Sequence, residues 1–444
     1  MSIVSRQQLV HLTPLTSAVL LVSSLSVGLT ADTKQVSIES FVYDLKQPDA
    51  DRRQTAVREL GNNHYRPAIP QMIPLTSDPV AAVRRELVFA FERMDDMATL
   101  PGFIALASDV EPDIRGRAVA GIVNVYVPHA IDLTLGTIKE RLSLGTAGDL
   151  DVLVEPDVNV DPIATETLRS RLSDSDRGIR RNAIRGLGIL RAKRAIPDLL
   201  QVVREDRDNG LRLDGVRALR KIGDPTVGSA LVAQLNINDN DVRYELISTL
   251  AALRYRPAVP ALTRIVEQSN HTDVACILAL AALADLADPV SAPIFERFRA
   301  DRDERLRLFA NEGIARIADD TMKTDISSAR LTEKSERVRT AQAFALLRLG
   351  QSEYLDELIR ALDRPATRDL AKEYLLETRP EYREALFAPR TTSSATRAEL
   401  AEVFGLMGDP NALPRLQEMT HDSDKDVAQA AERATRRISV GVTQ

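Results

Sequence analysis

The chain has one cysteine and no tryptophan in 444 residues, and aromatic side chains make up 4% of it. A lone cysteine excludes an internal disulfide framework. Cys276 lies in the apolar run VACILALAAL (274–283), whose neighbours predict a buried, inert thiol rather than a nucleophile. So few aromatics argue against extensive sheet, while recurrent Ala, Leu and Arg suit closely packed helices. An excess of positive charge is also missing: 58 Lys and Arg face 64 Asp and Glu, a net charge of -6. No field is available to draw in a phosphate backbone, so nucleic acid is excluded as the expected partner. Catalytic signatures are absent too. The histidines His11, His64, His129, His271 and His421 form no close metal pair. No Gly-rich phosphate loop, nucleophile elbow or Cys–His arrangement occurs. These absences lead to the expectation of a protein that is not an enzyme, with no cofactor, no metal and no small-molecule substrate.

What the sequence has is repetition. Aligning on the residue after the apolar position that follows each acidic turn gives Arg53, Arg84, Arg115, Arg180, Arg212, Arg243, Ala275, Arg307, Arg339, Arg368, Arg397 and Ala428. The gaps are 31, 31, 65, 32, 31, 32, 32, 32, 29, 29 and 31 residues. A period near 31 means one supersecondary unit copied in series. The first half of each copy reads as a helix. In DNDVRYELISTLAAL (239–253) an Asp able to cap the free amides precedes Val242, Leu246, Leu250 and Leu253, one apolar stripe. Stop signals follow, as in IGDP (222–225) and MGDP (407–410), where Gly can end the helix in the left-handed region. The second half opens on Pro70, Pro197, Pro260 or Pro414, at a position where a missing amide is harmless. One such hairpin cannot bury enough apolar surface to offset its own ordering, so neighbours must share a continuous core.

The D-x-x-V/I-R turn, the A-L-G ending and the A-I/V-P-x-L second helix resemble the HEAT-like repeats of the phycobilin-lyase type over about residues 40–438. The expected fold is all-α: a right-handed superhelical α-solenoid of about 12 HEAT-like helical hairpins. The resemblance implies an architecture and transfers nothing catalytic. Within that class the alternative to a binding protein is a lyase, a lyase subunit or a chaperone related to the bilin-attachment proteins.

Between Arg6 and Asp32 no Asp, Glu, Lys or Arg occurs, and SAVLLVSSLSVGL (17–29) has the apolar length of an export signal. Residues 1–31 are therefore expected to be a signal peptide, or an N-terminal membrane anchor if uncleaved, with the repeat array over 32–444. This places a bacterial protein in the periplasm or otherwise outside the cytoplasm, with membrane association only through the N-terminal segment. The 65-residue gap marks an irregular insertion at about 136–167, where GDLDVLVEPDVNVDP (148–162) alternates acids with Val and Leu. A short extended hairpin, a protruding loop or a degenerate repeat would each account for it. Its carboxylates Asp149, Asp151, Glu155, Asp157 and Asp161 are the expected partner-binding residues. DVNVD (157–161) spaces oxygens as a calcium loop does, but Pro162 and Leu168 stand where Gly and Glu belong. The polar stretch 319–336 is a second irregularity. The repeated arginines Arg84, Arg115, Arg180, Arg212, Arg243, Arg307 and Arg339 have carboxylates nearby in sequence, such as Asp113, Asp176 and Asp241. With a carboxylate in the same turn or the adjacent one, they are expected to cap and align neighbouring copies as an exposed structural ladder rather than a ligand site. The functional expectation is a non-catalytic interaction scaffold or assembly adapter. It would grip a protein partner on a concave surface lined by the second helices, or through the 148–162 insertion.

Overall fold

The computed structural model describes residues 38–131 and 152–442, so the 1–31 leader, Asp149 and Asp151 lie outside the described residues. Among the described residues there are helices, short 3-10 turns and no strand. The chain divides into two units, one ending at Leu190 and the other beginning at Arg191. Among the described residues, no helix is long and apolar enough to cross a membrane.

Twelve helices carry the twelve register positions. In the first unit they are α1 (Ala50–Asn62), α2 (Ala81–Met94), α3 (Pro112–Asn124) and α4 (Arg177–Ile189). In the second they are α5 (Asn209–Ile222), α6 (Asn240–Ala252), α7 (Val274–Leu286), α8 (Glu304–Ile317), α9 (Glu336–Arg348), α10 (Arg368–Leu376), α11 (Ser394–Met407) and α12 (Lys425–Val442). Side-chain caps start most of them: Asp176 accepts from the Ile179 N–H and Asp239 from the Val242 N–H. The left-handed ending appears at Gly223 (φ 73°) and Gly408 (φ 65°), and also at Ala287 (φ 49°) and Ala318 (φ 56°). A 3-10 turn and a shorter second helix follow, with proline in the first turn of Ile196–Glu205 and Val259–Gln268.

Burial explains why the stripe pattern is broader than one face. Within a unit, first helices pack on first helices of neighbouring copies, as α8 does on α9, and on a preceding second helix, as α7 does on Val259–Gln268. An interior helix is thus covered on most sides: in α7 residues 275–277, 279, 280, 282–284 and 286 are buried. At the end of the array α12 is covered on one side only. Its buried residues Val427, Ala430, Ala431, Ala434 and Ile438 form a single stripe.

Close packing sets one register position in particular. Six residues after the register arginine stand Gly121 in α3 and Gly313 in α8, where a Cβ would come within 2.4 Å of the Phe103 and Phe295 rings. Only glycine admits the aromatic ring of the preceding second helix at that spacing.

Of the expected insertion, the described part begins at residue 152. Residues 152–161 are non-helical, with the Val154 N–H donating to the Ile189 carbonyl at 3.0 Å and the Val154 side chain buried. From Pro162 a regular second helix, Pro162–Ser170, packs on α4. The polar stretch 319–336 likewise contains a second helix, Lys323–Arg330, anchored by one buried side chain, Ile326.

Candidate functional site

The arginine ladder is built across copies, not within turns. Arg84 donates from Nε and Nη2 to both carboxylate oxygens of Asp109, at 2.6 and 2.9 Å, and from Nη1 to the Asp78 carbonyl at 2.8 Å. Arg53 repeats this with Asp78 and the Gln47 carbonyl, and Arg115 with Asp174 and the Asp109 carbonyl. Arg307 does so with Glu333 and the Asp301 carbonyl, and Arg397 with Asp422 and the Thr392 carbonyl. Each guanidinium therefore ties the loop of its own copy to the loop of the next. The pairs are covered rather than exposed: Arg84 and Asp109 keep 10% and 3% of their side-chain surface. Asp113, two residues before Arg115, pairs with Arg85 instead. The hydrogen bond from Arg115 holds the Asp174 carboxyl below the usual range, and that from Arg397 pulls Asp422 down to about 2.

The ladder weakens in the middle. Arg180 donates to the Asp174 and Ser175 carbonyls, Arg212 to the Val203 carbonyl, and Arg243 to the Asn240 side chain. Arg339 reaches Glu336 only at 3.9 Å. Ala275 has no guanidinium at all; there His271 Nδ1 meets Asp301 at 2.6 Å, with its ring 4.7 Å from that of Phe298.

Of the acidic candidates, Glu155, Asp157 and Asp161 are among the described residues. Glu155 and Asp157 are exposed on the 152–161 segment. Asp161 caps the helix that follows, accepting from the Ile163 N–H at 2.8 Å, while its own N–H donates to Tyr126 Oη at 3.0 Å. Among the described residues no group of three or more His, Cys, Asp or Glu could hold a metal ion.

A different cluster stands out in the second unit. The C-terminal ends of α5 to α9, with Glu377 just beyond α10, enclose an open recess of about 800 Å³. It is lined by the first helices, where the sequence reading favoured the second. Its charged groups are Arg220, Arg254, Arg316, Arg348, Asp285 and Glu377, and Ala251, Ala252, Ala281 and Ala282 form part of its floor. Arg316 is the hub. Its guanidinium donates to Glu377 at 2.9 Å, to Asp285 at 3.1 Å and to Glu312 at 3.3 Å. Behind it, Tyr374 of α10 donates to Glu312 of α8 at 2.5 Å, and the Phe344 ring of α9 stacks on Tyr374 at 4.3 Å.

Burial raises the affinity of Glu312 for its proton against the opposing charge of Arg316. The same burial raises Asp285 and Glu373, and lifts the Tyr374 hydroxyl well above its ordinary value. Of these groups Asp285 lines the recess, and a perturbed group in a cleft makes it a candidate functional site.

Two cations at the recess lack carboxylate partners. Arg348 is half-buried and donates only to the Ala315 and Glu377 carbonyls, at 3.4 and 3.3 Å. Burial, then the nearby charges of Arg379 and Arg316, press its pKa down. Arg254, held at φ 51° just after α6, is exposed, and its side chain makes no hydrogen bond or ion pair among the described residues. The sequence did carry a signal for this cluster. Nine residues past the register position stand Arg316, Arg348 and Glu377 in three successive copies, where α6 and α7 have Ala252 and Ala284.

Comparison with known proteins adds the following. Residues 160–220 and 197–284 match the family model of HEAT repeats. Deoxyhypusine hydroxylase-B of Oryza sativa subsp. japonica is 23% identical over 274 residues, which covers 59% of this chain and 84% of that protein. Among solved structures, yeast importin-beta (Kap95p) is 12% identical over 92% of this chain and 57% of its own, with a TM-score of 0.46. The CpcE and CpcF complex of phycocyanin lyase from Nostoc sp. PCC7120 is 20% identical over 64% of this chain and 98% of its own, with a TM-score of 0.38. The rice relative corrects the expectation that the chain is not an enzyme, since a protein named as a hydroxylase is 23% identical to it over 274 residues. The physical reason is spacing: groups that meet in a stack of helices come from copies about 31 residues apart or more, as Glu312 and Tyr374 do. Missing short motifs exclude nothing in such a fold.

Proposed function

Because residues 160–284 of this chain are HEAT repeats, we propose that it binds a protein partner, and that the contact centres on the recess at the C-terminal ends of α5 to α9. The observation that carries this reading is the recess itself. Six successive copies contribute to it, and it exposes two arginines, Arg254 and Arg348, with no carboxylate of their own. A repeat array presents an extended surface suited to a partner's chain, and charged groups left without partners at its centre give that surface specificity. The proposal includes a site of action outside the cytoplasm, supported by the uncharged stretch between Arg6 and Asp32.

A second reading, that the array carries out a reaction on its partner, is favoured by the 23% identity to the rice hydroxylase. One experiment addresses both. Full-length protein with a photocrosslinking residue in place of Ser248, on the recess wall, is expressed in its native host, and crosslinked species and the mature N-terminus are read by mass spectrometry. A stoichiometric partner crosslinked at Ser248 and an N-terminus near residue 32 are expected. A partner recovered with its mass raised by one oxygen atom would favour the second reading. No crosslinked partner, together with an intact leader, would end the first.

A further inference from the structure

From the charges and floor of the recess, we infer that it takes an extended acidic segment of its partner, clasping carboxylates with Arg254 and Arg348. This rests on the reading of the recess as a partner site and adds the chemistry of what enters it.

Four observations point the same way. The lining contains four arginines and two carboxylates, Asp285 and Glu377, and both of those acids are already engaged by Arg316. Arg220 is engaged as well, at 3.3 Å from Glu245. Arg348 and Arg254 are what remains, one half-buried and held by long bonds to carbonyls, the other exposed. A guanidinium with only carbonyl partners has unused donors in a fork that matches a carboxylate, and a charge-assisted pair is roughly twice as strong as a neutral one. Burial and the neighbouring Arg316 and Arg379 already disfavour the Arg348 charge, which an incoming anion would relieve.

The floor decides the shape of the ligand. Ala251, Ala252, Ala281 and Ala282 leave the backbones of α6 and α7 close to the surface. An extended strand can lie across such a floor, with carboxylates alternating toward the arginines. Asp285 and Glu377 are both paired with Arg316, so a basic or neutral segment would find only acids already satisfied.

The test is fluorescence anisotropy of full-length protein with a short labelled peptide of alternating Glu and Ser, against its Gln–Ser counterpart. The acidic peptide is expected to bind at least about tenfold more tightly, with an affinity that falls as salt is raised. Arg348→Ala and Arg254→Ala are each expected to weaken it by about tenfold. Arg264→Ala, an exposed position on the second helix Val259–Gln268 outside the recess, should leave it unchanged. Should Arg348→Ala fail to fold by circular dichroism, the exposed Arg254→Glu takes its place and should abolish binding. Equal affinity for the two peptides, or an acidic peptide whose affinity neither recess substitution lowers, would overturn the inference. So would equally tight binding of a single-stranded oligonucleotide. If a partner crosslinks at Ser248 yet the peptides are not distinguished, this inference fails and the partner reading stands. If nothing crosslinks there, that reading fails on its own account.

Discussion

At the scale of the residue, the clearest lesson comes from the ladder. A guanidinium that reaches one loop's carbonyl and the next loop's carboxylate is nearly desolvated on both sides, so removing either end leaves a buried charge without compensation. Arg84→Ala is expected to lower the unfolding free energy of the first unit by about 3 kcal/mol at neutral pH, read by urea titration. Burial opposes the ionised form of Asp109, but the bonds from Arg84 and the Glu111 N–H outweigh it and hold the carboxyl below its usual value. A depressed folded value means that the contribution is present above the unfolded pKa and is lost as pH falls through the folded one. The gap between parent and variant should therefore narrow on acidification below about pH 4. A gap that stays constant down to pH 2 would show that the ion pair is not what stabilises the turn. Glu312, behind the recess, acts with the opposite sign. Burial raises Glu312 in the folded state, so its contribution is full below the unfolded value and declines as pH rises through the folded one.

At the scale of the element, the helices and their ends were largely legible and the partners of the side chains were not. The caps at Asp176 and Asp239, the left-handed ends at Gly223 and Gly408, and the prolines opening the second helices are local signals, set by backbone geometry within a few residues. Ala287 and Ala318 take the same ending without glycine, which no local rule predicts. The ladder partners and the recess depend on copies packed side by side. Arg84 meets Asp109, Glu312 meets Tyr374 and Arg316 meets Glu377, across 25, 62 and 61 residues. Single-sequence reading sees such pairs only once the register is fixed. Helix packing also sets a test: a Cβ at Gly313 would lie 2.4 Å from the Phe295 ring. Gly313→Ala favours the isolated helix by about 1 kcal/mol, yet overpacking costs about 1–3. A net loss of about 1–2 kcal/mol is expected by thermal or urea unfolding. Combining it with Phe295→Leu should recover part of that loss, since the two positions touch. A variant as stable as the parent would mean that the ring moves aside without cost.

At the scale of the whole molecule, the two units carry different chemistry. In the first, the ladder runs unbroken through Arg53, Arg84 and Arg115. In the second it is interrupted around Arg212, Arg243 and Ala275, beside the recess. The single thiol, Cys276, lies in that stretch, fully buried and pushed up to about 11 by desolvation. The second unit has a compensating clasp further on, where Tyr374 and Glu377 of one copy reach over α9 to Glu312 and Arg316 of another. Tyr374→Phe with Arg316→Met should remove it. Native-state hydrogen exchange under mild denaturant is expected to show α8, α9 and α10 opening with one shared free energy in the parent and with separate ones in the variant. Independent opening in the parent would show that the clasp does not couple them.

Stacks whose members hold only their immediate neighbours can peel from a free end, one hairpin at a time, because each loosened copy exposes the next. A fastening that skips a copy changes that rule. Unravelling that enters at α12 and α11 meets three helices that must let go together, so the segment beyond Glu377 should fray and then stall at α10, leaving the arginines beyond it seated.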